Sequence, residues 1–273
     1  MRRAKTMARQ AVRVAGAALD SVHRPPRGVS ILIYHRVGAT SELEVDLPTS
    51  LFRSQMQALA ASGRVVTLQQ ALAQLRAGSV PEEDPVVVTF DDGTADVVDV
   101  AVPILAETGI PALLYLSTAF VEERKPFPAN GKPVSWTALA DAMDSGVLTV
   151  GSHTHDHRLL DRVGEREAVD QLDRSVSLIG ERLGVRADHF AYPKAVPPNA
   201  TAELAVKQRF QSAALAGGGS NPYQTTDIYR LARSPIQRSD GMGWFCRKAG
   251  GGLSLEGRLR DLASRSRYAR AVD

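Results

Sequence analysis

The sequence predicts an α/β protein built on a mainly parallel sheet, and three observations carry that prediction. Short apolar runs of strand length recur at 29–34, 86–90 and 112–116, and stretches with helical apolar spacing separate them. The composition, 44% hydrophobic and 23% charged over 273 residues, supports a sizeable core and excludes a disordered chain. Strands that alternate with helices pair in parallel, which leaves a doubly wound sheet or a barrel.

Each element follows from its residues. After Pro25-Pro26, the run Val29-Ser30-Ile31-Leu32-Ile33-Tyr34 reads as a buried strand. Phe52, Met56, Leu59 and Ala60 form a helical stripe behind Thr49 and Ser50 as caps, and Gly63 ends it. A second short helix covers 68–75. The run 86–90 is the clearest buried strand. The stretch 97–105 reads as helix with a kink or restart at Pro103, closed by Gly109, and 112–116 is again a strand. A loop rich in Pro, Gly and Asn spans 125–133, Ser135 caps a helix to Met143, and 147–150 is a strand. Val169, Leu172, Val176, Ile179 and Leu183 step along one face of a long helix that stops at Gly184. The segment 190–192 precedes Pro193, 202–210 reads as helix, 212–216 as strand, and 217–219 is a glycine turn. A last strand is expected at 231–236 and a basic helix at 253–268. No internal repeat is visible.

The formal charge of +3 is unevenly placed. Residues 1–28 hold Arg2, Arg3, Lys5, Arg9, Arg13, Arg24 and Arg27 against Asp20, a local +6 that leaves −3 for the remainder. Their apolar stretch, 14–19, is shorter than the roughly 7–15 residues of a signal-peptide core or the about 20 of a spanning helix. A solvated, partly helical leader is therefore expected, with peripheral contact to an anionic membrane surface as the sharper alternative. This favours a cytoplasmic or membrane-peripheral protein over a secreted one. No aromatics interleave with the cations, which argues against nucleic acid. The single cysteine, Cys246, excludes an intrachain disulfide and a Cys-rich zinc site. Nothing in the sequence fixes an oligomeric state.

The residues able to do chemistry fall just after strands: His35 after the first, Asp91-Asp92-Gly93 after the second, His153 after 147–150. In a parallel barrel such positions share one mouth. Adjacent strand side chains point oppositely unless the backbone turns, and Gly93 permits a turn. One carboxylate is then free to hold a cation while its neighbour serves as a base. Three of the six histidines lie within Gly151-Ser152-His153-Thr154-His155-Asp156-His157. In a helical or tight turn His153 and His157 share a side and His155 faces away; in an extended segment all three share a face. Two imidazoles and a carboxylate are a ligand set for a catalytic divalent metal.

Thr89-Phe90-Asp91-Asp92-Gly93 and His153-Thr154-x-x-His157 resemble the two defining motifs of the polysaccharide deacetylase family, the NodB-homology domain. Ile33-Tyr34-His35-Arg36-Val37 resembles the strand that opens many members. Phe190-Ala191-Tyr192-Pro193 resembles the third motif of the branch that deacetylates poly-N-acetylglucosamine. The resemblance spans 29–240 and implies a distorted (β/α) barrel of about seven parallel strands, preceded by the basic arm 1–28 and followed by a helical tail, 241–273. It implies that Asp91 is the general base and that Asp92, His153 and His157 hold a divalent metal, zinc by default. It also implies that the Tyr192 N–H donates to the developing oxyanion, the alternative being an aromatic packed as core at a barrel end. Arg233 stands where this branch tends to place an arginine that approaches the catalytic aspartate. The late Leu-x-His of many members has no counterpart, since no histidine follows His189. The leaving amine then takes its proton from Asp91, His35, His189 or water, and His35 is the best placed histidine. The implied activity removes N-acetyl groups from an N-acetylated oligo- or polysaccharide. The alternatives are a related amidohydrolase of a small or lipid-linked sugar, or a weakly active glycan-binding member.

Overall fold

The computed structural model describes residues 2–77, 80–257 and 259, with side chains from residue 10 onward. Besides Asn221–Pro222, which pairs antiparallel with Gly28 and Val29, seven strands among the described residues share one sheet: β1 (Gly28–Tyr34), β2 (Val86–Asp92), β3 (Ala112–Leu116), β4 (Leu148–Ser152), β5 (His189–Ala191), β6 (Ser212–Ala214) and β7 (Ser234–Pro235). Their spatial order is β7-β1-β2-β3-β4-β5-β6, and every neighbouring pair is parallel. The central strands are buried on both faces, which is why they read as continuous apolar runs rather than alternating ones.

One segment joins the two edges of the sheet. Leu231 bridges Ala214 of β6, and three residues later Ser234 and Pro235 pair with Leu32 and Ile33 of β1. Hydrogen bonds from Leu231 N to Ala213 O and from Ile236 N to Ile33 O flank these pairings. The sheet thus curls into the distorted barrel. The strand expected over 231–236 is divided between these two partners, so only its end is a regular strand.

Side-chain parity sorts the two cores. Leu32, Tyr34, Val86, Val88, Phe90, Leu114 and Phe190 face outward beneath the helices. Val29, Ile31, Val87, Leu113, Tyr115, Ala191, Ala214 and Leu231 face inward, where Leu68, Ala71, Leu72 and Leu75 join them. Those four belong to one of nine α-helices among the described residues: α1 (Arg2–Val22), α2 (Thr49–Ser62), α3 (Leu68–Arg76), α4 (Val102–Thr108), α5 (Thr118–Glu122), α6 (Trp136–Met143), α7 (Glu165–Leu183), α8 (Ala200–Arg209) and α9 (Gly241–Ala249). The helix that supplies Leu68 to Leu75 is α3. It begins with a capping box of Thr67 and Gln70.

Several local expectations change. The helix runs on through Pro103: Asp96, Ala101 and Val102 keep right-handed helical dihedrals, and a wide turn at Val97–Ala101 leads into α4, whose first turn tolerates the missing N–H. The helix after Thr49 has Pro48 at its cap position and no side-chain cap. Strand β4 runs on to Ser152, which brings its end directly to His153. Short α5 carries no long apolar stripe and was not expected. The expected helix at 253–268 falls largely outside the described residues. Within the expected tail, α9 (Gly241–Ala249) sends Phe245 and Ala249 into the main core.

The basic arm is also more than a solvated leader. Arg13 on α1 is 1% exposed and reaches Asp240 and Glu256, while Lys248 binds Asp240 at 2.8 Å. Asp20 accepts from Leu253 N at 2.7 Å, and Val14, Leu19 and Val22 stay exposed. Among the described residues no helix is long and apolar enough to cross a membrane. Because Arg13→Met strands buried carboxylates, it should destabilise the fold by about 3–5 kcal/mol. Chemical denaturation of both proteins checks this, and equal stabilities would mean that α1 is not docked.

Candidate metal centre and active site

The site forms at the C-terminal ends of β1, β2 and β4. A cavity of ≈ 290 Å³ is lined by His35, Asp91, Asp92, His153, His157, Lys194 and Arg233, with Ile33, Val45, Ala195, Ala216, Pro235 and Gln237 completing its wall. A cavity of ≈ 340 Å³ opens elsewhere, at the N-terminal end of the strands, and His189 lines that one. Its imidazole contacts Ser212 Oγ at 3.0 Å, and burial takes it down to about 4. His189 is therefore at the wrong end of the barrel to serve as the acid considered for it.

The two aspartates reach one cavity because the backbone turns between them. Asp92 adopts φ +77°, in the left-handed region that non-glycine residues rarely enter. Gly93 follows at φ +106°, and a Cβ there would stand 2.4 Å from Leu116 Cδ1. The bend is pinned by Ser117 N donating to Asp92 O at 3.0 Å.

Asp91 points inward by the parity it shares with Thr89. Arg233 donates to its two oxygens from Nη1 at 2.7 Å and Nη2 at 2.8 Å. The same guanidinium donates to Thr89 Oγ1 at 3.1 Å and Leu215 O at 3.0 Å, and lies 4.9 Å over the Tyr115 ring. Burial alone would raise the Asp91 carboxyl, but the charge of Arg233, then His153, and the Arg233 hydrogen bonds bring it to about 2. Asp91 is thus a carboxylate throughout the neutral range. Thr89 belongs to this constellation although sequence reasoning gives it no role; its two-residue spacing from Asp91 is the signal that places it.

His153 and His157 follow β4 in a tight loop, not a helix. Thr154 and His157 both have positive φ, and Arg158 N closes the loop onto Thr154 Oγ1 at 2.9 Å. The two rings come within 4.9 Å, centroid to centroid. His153 Nδ1 lies 2.7 Å from Ala191 O, so it carries the proton and leaves Nε2 as a lone pair facing Asp92. Burial lowers both imidazoles, His157 to about 3 with His153 adding to the effect, so both are neutral donors. Asp92 Oδ1 lies 3.8 Å from His153 Nε2 and 3.4 Å from His157 Nε2. These separations are long for hydrogen bonds. They suit two ligands of one ion whose bonds are about 2.0–2.2 Å. The donor set therefore fits a divalent cation. His155 points elsewhere, to Thr118.

The remaining expected residues separate. His35 lines the cavity beside both aspartates, and its Nδ1 has no hydrogen-bond partner. Tyr192 does not serve as the oxyanion donor expected of it. Its N–H is spent on Ala214 O at 3.0 Å, extending the β5–β6 pairing, and its ring packs edge-on against Phe190 in the core. Lys194 and Ala195 instead form that wall, both at positive φ behind Pro193.

Comparison with known proteins agrees with this architecture. The model of the polysaccharide deacetylase family matches residues 78–213. The YxkH protein of Bacillus subtilis (strain 168) is 23% identical over 223 residues, 81% of this chain and 76% of that protein. The deacetylase PplD of Streptococcus pyogenes, solved in complex with acetate, superposes with a TM-score of 0.71 at 19% identity, over 82% of this chain and 99% of that one. IcaB from Ammonifex degensii gives 0.70 at 24% identity, over 82% and 98%.

Removing one ligand of the trio should be decisive for metal. In His157→Ala the affinity of Asp92 and His153 for Zn²⁺ should fall by more than about 100-fold, beyond the range seen on losing a ligand's supporting partner. Competition with a chromophoric chelator reads this, and unchanged affinity would remove His157 from the ligand set.

Proposed function

Since the chain belongs to the polysaccharide deacetylase family, we propose that it is a divalent-metal-dependent hydrolase that removes N-acetyl groups from an N-acetylated glycan. One observation carries the reading: two adjacent carboxylates turned into one cavity, with Arg233 on Asp91 and two neutral imidazoles facing Asp92. Asp92, His153 and His157 would hold the metal, with zinc as the expected ion. When bound, such an ion polarises a carbonyl and lowers the pKa of water.

The chain's own groups then divide the work. Asp91 accepts a proton from the attacking water, because it is ionised and fixed by two hydrogen bonds. Arg233 keeps that carboxylate aimed and compensates its charge in a buried setting. As the amide C–N bond breaks, the nitrogen takes a proton; Asp91 has just gained one and stands beside it. His35 shares the cavity as a secondary donor. Lys194, on the wall, is placed to bind the substrate's polar groups. None of the lining residues is Trp, Tyr or Phe, so the cavity offers no broad stacking platform. That favours recognition of one N-acetylated sugar at the end of a chain or on a short or lipid-linked carrier, the second reading for this fold.

Acetate release from N-acetylglucosamine oligomers by zinc-loaded protein tests the assignment. Asp91→Asn should keep its metal and lose about 10²–10⁴ in turnover, the range for a positioned base. His35→Gln should lose less than that. A larger loss in His35→Gln than in Asp91→Asn, at equal metal content, would reverse the two roles.

A further inference from the structure

We propose that Glu123, His155 and Asp156 form a second divalent-cation site, on the far side of the 153–157 loop from the candidate catalytic centre. One ligand atom from each of the three lies within 4.8 Å of the other two. The observation that points to a ligand is the imidazole. His155 is 3% exposed, and its Nδ1 is engaged by Thr118 Oγ1 at 2.9 Å. Its Nε2 is buried with no hydrogen-bond partner. A buried polar nitrogen left unmatched costs free energy and requires a partner. Nε2 faces Asp156 Oδ1 at 3.7 Å, too long for a hydrogen bond and close to the separations within the Asp92 trio.

The surroundings prepare this second trio as they do the first. Gln171, buried on α7, donates from Nε2 to Asp156 Oδ2 at 2.8 Å and accepts from Asp156 N at 2.9 Å, which aims the other carboxylate oxygen. Ala119 N donates to His155 O at 2.9 Å, and Glu123 N to Ala119 O at 2.9 Å, so α5 holds both His155 and Glu123. Glu123 Oε2 pairs with Lys125 at 2.6 Å, both about half exposed. An exposed pair of that kind is worth little and yields readily to a cation. One imidazole and two carboxylates suit zinc, manganese or ferrous iron.

Such an ion would tie the end of α5 to the loop that carries His153 and His157. Glu123, His155 and Asp156 would then act as positioning residues for the catalytic trio, not as participants in the reaction. The site stands apart from the deacetylase assignment, because it is read from metal stoichiometry alone.

Isothermal titration of the metal-free full chain with Zn²⁺ tests it. The wild type should take up two equivalents. Glu123→Gln and His155→Ala should each take up one, and His157→Ala should lose the other one instead. Glu123 is exposed, so its substitution stays informative if His155→Ala fails to fold. A wild type that binds a single equivalent, abolished by His157→Ala, would overturn the proposal. So would a second equivalent that survives in Glu123→Gln and His155→Ala.

Discussion

The ion pair between Asp91 and Arg233 couples the closure of the barrel to its chemistry. A charge moved from water into a protein interior costs several kcal/mol, which only a well-formed partner repays. Here both partners are buried, and every side of the guanidinium is occupied: Asp91, Thr89, the Leu215 carbonyl and the Tyr115 face. Arg233 can stand there only because its segment bridges β6 at Leu231 and β1 at Ser234. The join between the sheet's edges and the electrostatic support of Asp91, the proposed base, are therefore one feature.

The half of the site proposed to hold the metal rests on a different device, backbone strain. Asp92, Thr154, His157, Lys194 and Ala195 all have positive φ, and four of the five line the cavity. Each such residue costs of order 1–3 kcal/mol and persists only where its surroundings enforce it. The enforcement is visible as strand-end hydrogen bonds, Ser117 N to Asp92 O and His153 N to Leu116 O. Arg233 thus charges one aspartate's surroundings, while strained loops and neutral imidazoles prepare the other. Two chemically identical neighbours thereby acquire different surroundings, as the proposed division of work requires.

Much of this was legible in the sequence, for reasons that can be named. Strands buried on both faces leave apolar runs, so β1, β2 and β3 are read directly. Asp-Asp-Gly after such a run signals a turn, and Gly93 does take a φ of +106° that favours glycine. Clustered histidines mark the other half of the site. Apart from the approach of Arg233 to Asp91, which the family resemblance implied, long-range features were not legible. The docking of α1 depends on Arg13 meeting Asp240 and Glu256, more than two hundred residues away, and nothing local in the arm encodes it. Tyr192 looked available as a donor because the β5–β6 register, which consumes its N–H, is invisible in either strand alone. The His153–His157 loop kept the outcome of a helical turn, with His155 facing away, by a different backbone route.

A double-mutant cycle between positions 91 and 233, read as turnover in acetate release at verified metal content, tests the central claim most directly. If Arg233 acts through Asp91, Arg233→Met lowers turnover strongly in the wild type and scarcely at all in an Asp91→Asn background. The coupling free energy should then approach the upper part of the about 0.5–3 kcal/mol found for contacting residues. Additive losses in folded, metal-replete variants would contradict the account, since they would mean that the buried pair is structural and the base lies elsewhere.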